Sequence, residues 1–190
     1  EIFRHISDLG GEAFMSTTNH DSGTDRVQEY AKTAGLEAQE VVINVQGDEP
    51  LIDIEAVNQL GDFMHANKYK YGTIAQHFSS NTDLLDPSKV KVVLNDDNSA
   101  IEFFRDAPIV VKDFSKVVLH HVGIYAYQVD FLHTFAGLCK TKNELNLKLE
   151  QMRALDNALP LHVLELNLDE SWGIDTEEDL IRLRKHLELN

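Results

Sequence analysis

Two kinds of apolar segment alternate along the chain. In one kind the apolar residues recur at helical spacing, and in the other they are nearly continuous over a few positions. Residues 41–45 form an almost unbroken β-branched run, which is typical of a strand buried on both faces of a parallel sheet. Val57, Leu60 and Met64 then recur at helical spacing. Further strands are predicted at residues 73–78, 90–94, 100–104, 122–127 and 161–166. The alternation predicts a single α/β domain over residues 1–190, in which helices flank a mostly parallel sheet.

Several other segments have the apolar spacing or the capping residues of short elements. Asp130 and Thr176 are the expected N-caps of a short helix and of the final helix. Residues 13–15 are predicted to form a short strand, and residues 106–119 show no clear period and are expected to be irregular. Helices are predicted at residues 1–9, 23–35, 130–138 and 144–158, and from residue 176 onwards.

Charge and composition narrow the possible partners. The chain carries 17 basic and 32 acidic residues, a net charge of −15, with no basic stretch that could face phosphates, so we expect no nucleic-acid partner. The single cysteine, Cys139, excludes an intrachain disulfide and fits a reducing compartment, so a cytoplasmic location is expected. No apolar run approaches the roughly 18 residues of a membrane span, so we expect no membrane segment.

Two acidic loops are candidate metal sites. In VVINVQGDEPLI, residues 41–52, a strand is followed by a glycine turn and then by Asp48 and Glu49. Ligands of open α/β sheets bind at the carboxyl ends of strands, and carboxylates there suit Mg²⁺ shared with substrate phosphates. Asp175 precedes the final helix and could be a second ligand. The alternatives are a solvated turn at Asp48 and a simple helix cap at Asp175.

Further candidates lie later in the chain. His121 and Tyr125 are four residues apart, so both lie on one face of the predicted strand. A His and a Tyr on one face could bind a sugar acid, although an ordinary half-buried strand would look the same. Glu150 falls away from the apolar stripe of the predicted long helix, where a solvated carboxylate is expected. The remaining histidines have no zinc-type spacing, and we assign them no metal role.

Six sequence blocks, taken together, resemble one family. They occur in the order and at about the spacing found in the 3-deoxy-manno-octulosonate cytidylyltransferases, also called CMP-Kdo synthetases. The resemblance runs from about Gly10 to the C-terminus. The blocks are HDSGTDR (20–26), NVQGDEPLI (44–52), PSKVKVV (87–93), HVGIYAY (121–127), LEQMRAL (149–155) and GIDTEEDL (173–180).

This resemblance implies a Rossmann-like nucleotidyltransferase that transfers CMP from CTP to the sugar acid Kdo and releases pyrophosphate, for lipopolysaccharide biosynthesis. It implies a homodimer and Mg²⁺ held by Asp48 and Asp175, which would be the catalytic carboxylates. The nucleotide would be bound by Ser22, Gly23, Thr24, Arg26, Gln46 and Gly47. The sugar acid would be bound by Gln46, His121, Tyr125, Glu150 and Gln151.

The sequence departs from the family pattern in two places. The family begins with a strand and a basic phosphate loop of the form PAR-x-x-STRLPGKP, and nothing in residues 1–40 matches it. We therefore expect the chain to be truncated at its N-terminus. The family's ALYFSR-x-PIP corresponds to residues 100–110, where Arg105 is one place out of register with the proline. The role of this arginine at the sugar carboxylate is therefore open.

Other functions remain open alongside a Kdo cytidylyltransferase. A related enzyme could act on 8-amino-Kdo or on sialic acid, and a panel of acids with CTP would separate these substrates. The chain could also be a non-catalytic nucleotide-binding or dimerisation fragment. A GT-A glycosyltransferase also places carboxylates at a strand end, but its usual motif is Asp-x-Asp, which QGDEP does not match.

Residues 1–190 by themselves are expected to bind CTP weakly, if at all, and to show no transfer activity. The family's basic loop lies at the N-terminus of a helix, where N–H groups and basic side chains hold the triphosphate. Calorimetry with CTP and Mg²⁺ measures this binding. Micromolar affinity would mean that other residues hold the phosphates and that this role of the loop is wrong.

Overall fold

The computed structural model describes residues 1–20, 22–106, 118–168, 174 and 176–188. Two predictions therefore fall wholly or largely outside the described residues, namely the position of Asp175 and the irregular character of residues 106–119. No helix of the described part is both long enough and apolar enough to cross a membrane.

One six-stranded sheet forms the centre of the fold. Five strands follow the order β4-β3-β5-β2-β6, and β1 pairs with β5 beside this path. The longest strand, β5, pairs with β2 along one edge and with both β1 and β3 along the other. The strands are β1 (Val41–Asn44), β2 (Tyr71–Gln76), β3 (Lys91–Leu94), β4 (Ala100–Phe104), β5 (Val118–Gln128) and β6 (His162–Glu165).

The direction of the strands corrects the prediction of a mostly parallel sheet. β5 runs antiparallel to β1, β2 and β3, and β3 runs antiparallel to β4. Among the described strands, only β2 and β6 pair in parallel. β1 is half-buried rather than buried on both faces. A β-branched run records burial and β-propensity, and both are compatible with either strand direction.

Helices cover both faces of the sheet, and most lie where the apolar spacing predicts them. Residues 13–15, predicted as a strand, form none. Asp130 lies inside the first turn of its helix, where its carboxylate accepts from Phe131 N–H, and Gln128 is the N-cap. The helices are α1 (Ile2–Asp8), α2 (Gly23–Thr33), α3 (Ile54–Asn67), α4 (Asn81–Leu85), α5 (Val129–Ala136), α6 (Lys142–Leu147), α7 (Met152–Asp156) and α8 (Glu177–Glu188).

The predicted long helix over residues 144–158 is broken into α6 and α7. Lys148 at the break adopts a left-handed conformation, with φ of 54°. A buried ion pair joins the two halves, since the Arg153 guanidinium donates to the Glu144 carboxylate at 2.5 and 2.9 Å. Leu147 in α6 and Met152 and Leu155 in α7 all contact the same core cluster, whereas Leu145 of the predicted stripe is exposed. Apolar spacing along the chain does not reveal such a break, so periodicity alone predicts one helix. Residues 149–151 lie within this break and line the cavity that is described below.

Two apolar clusters form the core, one on each face of the sheet. α3 covers one face, where Leu60 and Met64 pack on Ile74. A Cβ on Gly72 would lie 2.5 Å from Met64 Sδ, so glycine permits the close approach of α3 to β2. α2, α5 and α7 cover the other face, over the larger cluster.

Glu144→Gln is expected to lower the free energy of unfolding by about 3 kcal/mol, because it removes the carboxylate that pairs most closely with the buried Arg153 charge and leaves only Glu150, at 3.4 Å, beside it. Both side chains are less than 10% exposed, at 6% and 3%. Urea unfolding followed by circular dichroism measures the loss. Glu102→Gln, at an exposed carboxylate of β4, is the control and should change stability by less than about 0.5 kcal/mol. Equal effects of the two substitutions would contradict a stabilising buried pair.

Candidate active site

A gap in the strand pairing of β5 locates the candidate site. Along one edge of β5, β3 pairs with residues 118–120 and β1 with residues 125–128, and no described strand pairs between them there. Gln46, two residues after β1, lies in this gap, and its Nε2 donates to Gly123 O at 3.2 Å. A Cβ on Gly123 would lie 3.2 Å from that Nε2, so glycine allows the amide to approach.

A cavity of about 580 Å³ opens at this gap and combines acidic and basic side chains. Asp48 and Glu49 reach it from the loop after β1. Lys89, Arg105 and Lys148 reach it from three other segments of the chain. An anionic ligand could therefore be held by the cations, and the Asp48 carboxylate could take part in a metal site.

Arg105, where the sequence departs from the family pattern, lies at this first cavity. Its Nε donates to the Leu147 carbonyl at the end of α6, at 3.0 Å, and its side chain lines the cavity. The offset relative to the proline therefore does not remove the arginine from the site. Lys89 also has a protein partner, the Asp83 carboxylate at 3.0 Å.

A second cavity, of about 430 Å³, adjoins the first. Gly23 and Thr24 from the N-terminus of α2 and Gly47 from the loop after β1 line it. The two cavities share four lining residues, which therefore lie at their junction: Gln46, Asp48, Tyr125 and Glu150. The first turn of α2 thus faces one cavity while the cations face the other.

Two hydrogen bonds fix the start of α2, one from its own backbone to the N-cap side chain and one from a side chain of its first turn to Glu150. Ser22 is the N-cap, and its Oγ accepts from Asp25 N–H at 3.2 Å. Buried Thr24 donates through Oγ1 to Glu150 Oε2 at 2.8 Å. Arg26 is exposed and lines neither cavity, so the structure does not bring this predicted nucleotide ligand to the site.

Glu29 holds the loop that leads into α2, and sequence reasoning missed it. Its carboxylate accepts from Thr17 N–H at 3.0 Å and from Thr17 Oγ1 at 2.7 Å, and it also contacts Ser16 Oγ. His20 Nε2 lies 2.5 Å from the same carboxylate. The hydrogen bonds from His20, Ser16 and Thr17 lower the pKa of Glu29 to about 2. The loop before Ser22 is therefore anchored on the helix that it precedes.

Glu150 and Gln151 occupy the break between α6 and α7 and both line the first cavity. Glu150 is half-buried and bonded to Thr24 rather than solvated as expected. Gln151 is only 2% exposed, and its Oε1 accepts from Tyr125 Oη at 3.0 Å. Its Nε2 is buried without a hydrogen-bond partner in the described part of the structure. A buried amide donor without a partner is suited to bind an oxygen of a ligand.

His121 and Tyr125 lie on one face of β5, as their spacing predicts, with ring centroids 5.5 Å apart. Both line the first cavity. Burial, together with the nearby charge of His120, lowers the pKa of His121 to about 3. Burial also raises the pKa of Tyr125 well above its usual value. The histidine is therefore a neutral imidazole and the tyrosine a neutral phenol at physiological pH.

Sequence reasoning did not select Lys89 and Lys148, which line the first cavity, or Thr73, which contacts a residue that lines it. Lys89 belongs to the PSKVKVV block and could have been found from it. Lys148 lies at the break in the predicted helix and lines the cavity from there. Thr73 lies in a buried strand and carries no signal in the sequence, yet its hydroxyl contacts His121 Nε2 at 3.0 Å.

Of the two predicted metal ligands, only Asp48 lies among the described residues. Asp48 lies at the junction of the two cavities, whereas Asp175 lies outside the described residues. Ile174, its neighbour in sequence, donates its N–H to the Asp48 carbonyl at 2.8 Å. The described residues contain no group of three His, Cys, Asp or Glu side chains that could hold a metal. Mg²⁺ needs only one or two protein carboxylates when substrate phosphates complete its coordination.

The pKa of His121 makes the protein less stable in acid. At pH about 7.5 the imidazole is neutral in both states, and below about 6.5 only the unfolded chain binds the proton. Unfolding should therefore become easier by about 2 kcal/mol between pH 6.5 and 5, from this residue alone. His121→Gln removes this contribution, so the free energy of unfolding measured with urea should vary less with pH than in the wild-type protein. His65→Gln, at an exposed position of α3, should keep the wild-type dependence, and equal slopes for both variants would contradict the prediction.

Known proteins resemble this chain in sequence and in structure. The family model for cytidylyltransferases matches residues 1–164. A 3-deoxy-manno-octulosonate cytidylyltransferase from Trichlorobacter lovleyi is 40% identical over 195 residues, covering 96% of this chain and 76% of that protein. The same enzyme from Neisseria meningitidis is 37% identical over 186 residues, with coverages of 92% and 73%. The solved structure of CMP:2-keto-3-deoxy-manno-octonic acid synthetase complexed with CTP gives a TM-score of 0.88 at 31% identity, covering 99% of this chain and 77% of that one.

These findings agree with one another across nearly the whole chain. They confirm the resemblance drawn from the six sequence blocks and the α/β nucleotidyltransferase fold that it implies. The chain belongs to the 3-deoxy-manno-octulosonate cytidylyltransferase family.

Proposed function

We propose that the protein transfers the CMP group of CTP to the anomeric hydroxyl of 3-deoxy-manno-octulosonate (Kdo) and releases pyrophosphate, as a step of lipopolysaccharide biosynthesis. The observation that carries this proposal is the pair of adjoining cavities with Asp48 at their junction. One cavity begins at the N-terminus of α2, and the other contains three cations. Two anionic substrates that react with each other need two neighbouring sites, each with groups that favour negative charge.

The second cavity is the proposed nucleotide site. Gly23 and Gly47 line it with little side-chain bulk, so a ligand can approach the backbone closely. The N-terminus of an eleven-residue helix also favours negative charge. The related solved structure is complexed with CTP, which supports a nucleotide as a ligand of this protein.

The first cavity is the proposed sugar-acid site. Arg105 and Lys148 supply positive charge for the carboxylate of Kdo, and the planar fork of an arginine suits a carboxylate particularly well. The partnerless Nε2 of Gln151 would donate to a hydroxyl oxygen of the sugar. Gln46 and Tyr125, at the junction, would lie between the two substrates.

Asp48 and Asp175 would hold Mg²⁺, a cofactor that the donor set suits because carboxylate oxygens are hard ligands. The contact between Ile174 N–H and Asp48 O supports a shared site, since it joins the two acidic loops. When bound, Mg²⁺ supplies neutralisation of phosphate charge and a lower pKa for the attacking hydroxyl.

The reaction forms a bond between the anomeric oxygen and the α-phosphorus and breaks the bond to pyrophosphate, while the hydroxyl proton is released. The residues of this chain contribute mainly by holding the hydroxyl and the phosphate in line. His121 is poorly suited as a general base, because its pKa of about 3 makes it weakly basic. Its contribution is therefore to bind and orient the sugar acid.

A homodimer, a cytoplasmic location and the selection of Kdo over 8-amino-Kdo or sialic acid are further parts of this proposal. They are supported by the family resemblance and stay predictions. Light scattering tests the dimer, and competition among the three acids tests the specificity.

Asp48→Asn in the full-length gene product should lower kcat by at least about a hundredfold, because electrostatic stabilisation of the phosphate charge is lost. CTP affinity should change much less. Pyrophosphate release with CTP, Kdo and Mg²⁺ measures the rate, and calorimetry measures the affinity. Asp62→Asn, at an exposed position in the middle of α3, is the matched control and should keep wild-type activity. Unchanged turnover in Asp48→Asn would remove Asp48 from the mechanism.

A further inference from the structure

Thr73 lies fully buried in β2, at the point where the register between β2 and β5 shifts. Its hydroxyl oxygen has three neighbours within hydrogen-bond distance. Ile124 O lies at 2.7 Å, Val122 O at 3.2 Å and His121 Nε2 at 3.0 Å. Two of these neighbours are carbonyl oxygens, which can only accept hydrogen bonds.

The hydrogen-bond arrangement around Thr73 determines the tautomer of His121. A threonine hydroxyl has one hydrogen to donate, and the shortest contact places that hydrogen towards Ile124 O. The contact with His121 is then favourable only if Nε2 carries the ring proton and donates it to Thr73 Oγ1. A neutral imidazole carries a single N–H, so Nδ1 is the unprotonated nitrogen and acts as an acceptor.

We propose that Thr73 is a positioning residue that fixes His121 in the Nε2–H tautomer, so that Nδ1 accepts a hydrogen bond from a hydroxyl of the sugar acid. This inference rests on the proposed function, because it assigns a chemical role to His121 within the first cavity. Thr73 does not line that cavity, and it acts through His121 alone.

The tautomer has a consequence for substrate orientation. An imidazole nitrogen without a proton repels carboxylate and phosphate oxygens, which cannot donate, and accepts only from donors such as sugar hydroxyls. The hydroxyl-bearing part of the substrate would therefore face His121, whereas its carboxylate would face Arg105 and Lys148. The burial of His121, which is 7% exposed, reinforces this selection because a charged, donating imidazolium is disfavoured there.

Nitrogen-15 NMR of the histidine-labelled full-length gene product tests the tautomer directly, since protonated and unprotonated ring nitrogens have distinct chemical shifts. The wild-type protein should show a protonated Nε2 and an unprotonated Nδ1 for His121. Thr73→Ser, which keeps the hydroxyl, should show the same pattern. Thr73→Val, which replaces only the hydroxyl with a methyl group, should not show this pattern of ring-nitrogen shifts. A protonated Nδ1 in the wild-type protein would overturn the proposal without affecting the proposed function.

Steady-state kinetics test the effect on the substrate. Thr73→Val should raise KM for Kdo by about tenfold, the effect of losing one oriented hydrogen bond, while KM for CTP and kcat change less than about twofold. Thr73→Ser should restore KM. If Thr73→Val does not fold, Thr73→Ala takes its place with the same expectations. An unchanged KM for Kdo in a variant with an altered tautomer would overturn the positioning role. Failure of the wild-type protein to use Kdo would instead refute the proposed function, and the substrate part of this inference with it.

Discussion

The pairing of β5 is the constraint on which the site depends. One long strand is bonded along one edge to β2 and along the other to two strands that do not meet. The space between them exposes the middle of a strand that is otherwise covered on both edges. Gln46, from the loop after β1, and Gly123, on β5, meet there, and the cavity with its acidic and basic residues opens at the same place. A continuous neighbour strand would satisfy the backbone of β5 but would fill the cavity.

A chain of polar contacts joins α6, α7 and the start of α2 across the helix break. The Arg153 guanidinium binds Glu144 in α6 and lies 3.4 Å from Glu150, which in turn accepts from Thr24 at the start of α2. The buried charges are thereby paired, which avoids the cost of an isolated ion in the interior. The same contacts fix the positions of Glu150 and Gln151. Stability and the shape of the site therefore depend on one network.

The net charge of −15 would oppose the binding of two anionic substrates, yet the local distribution of charge differs from the average. Lys89, Arg105 and Lys148 come from separate segments and reach one cavity. The charge that a ligand experiences is set mainly by groups within about a Debye length, roughly 8 Å at physiological ionic strength, rather than by the whole chain. A strongly acidic protein can in this way hold an anionic substrate.

The sequence by itself determined the family, most of the helices and strands, and several residues that line the candidate cavities. Apolar spacing located five of the six strands to within about two residues, and the QGDEP and HVGIYAY blocks placed Asp48, His121 and Tyr125 where the structure has cavities. These features are local, because periodicity and capping depend on neighbours along the chain. Only the tertiary structure decided the strand directions, the helix break at Lys148 and the contact of Thr73 with His121. Each of these three features depends on contacts that form only when the chain packs. The pattern of buried residues along the chain does not distinguish a parallel from an antiparallel neighbour strand, or a broken from a continuous helix.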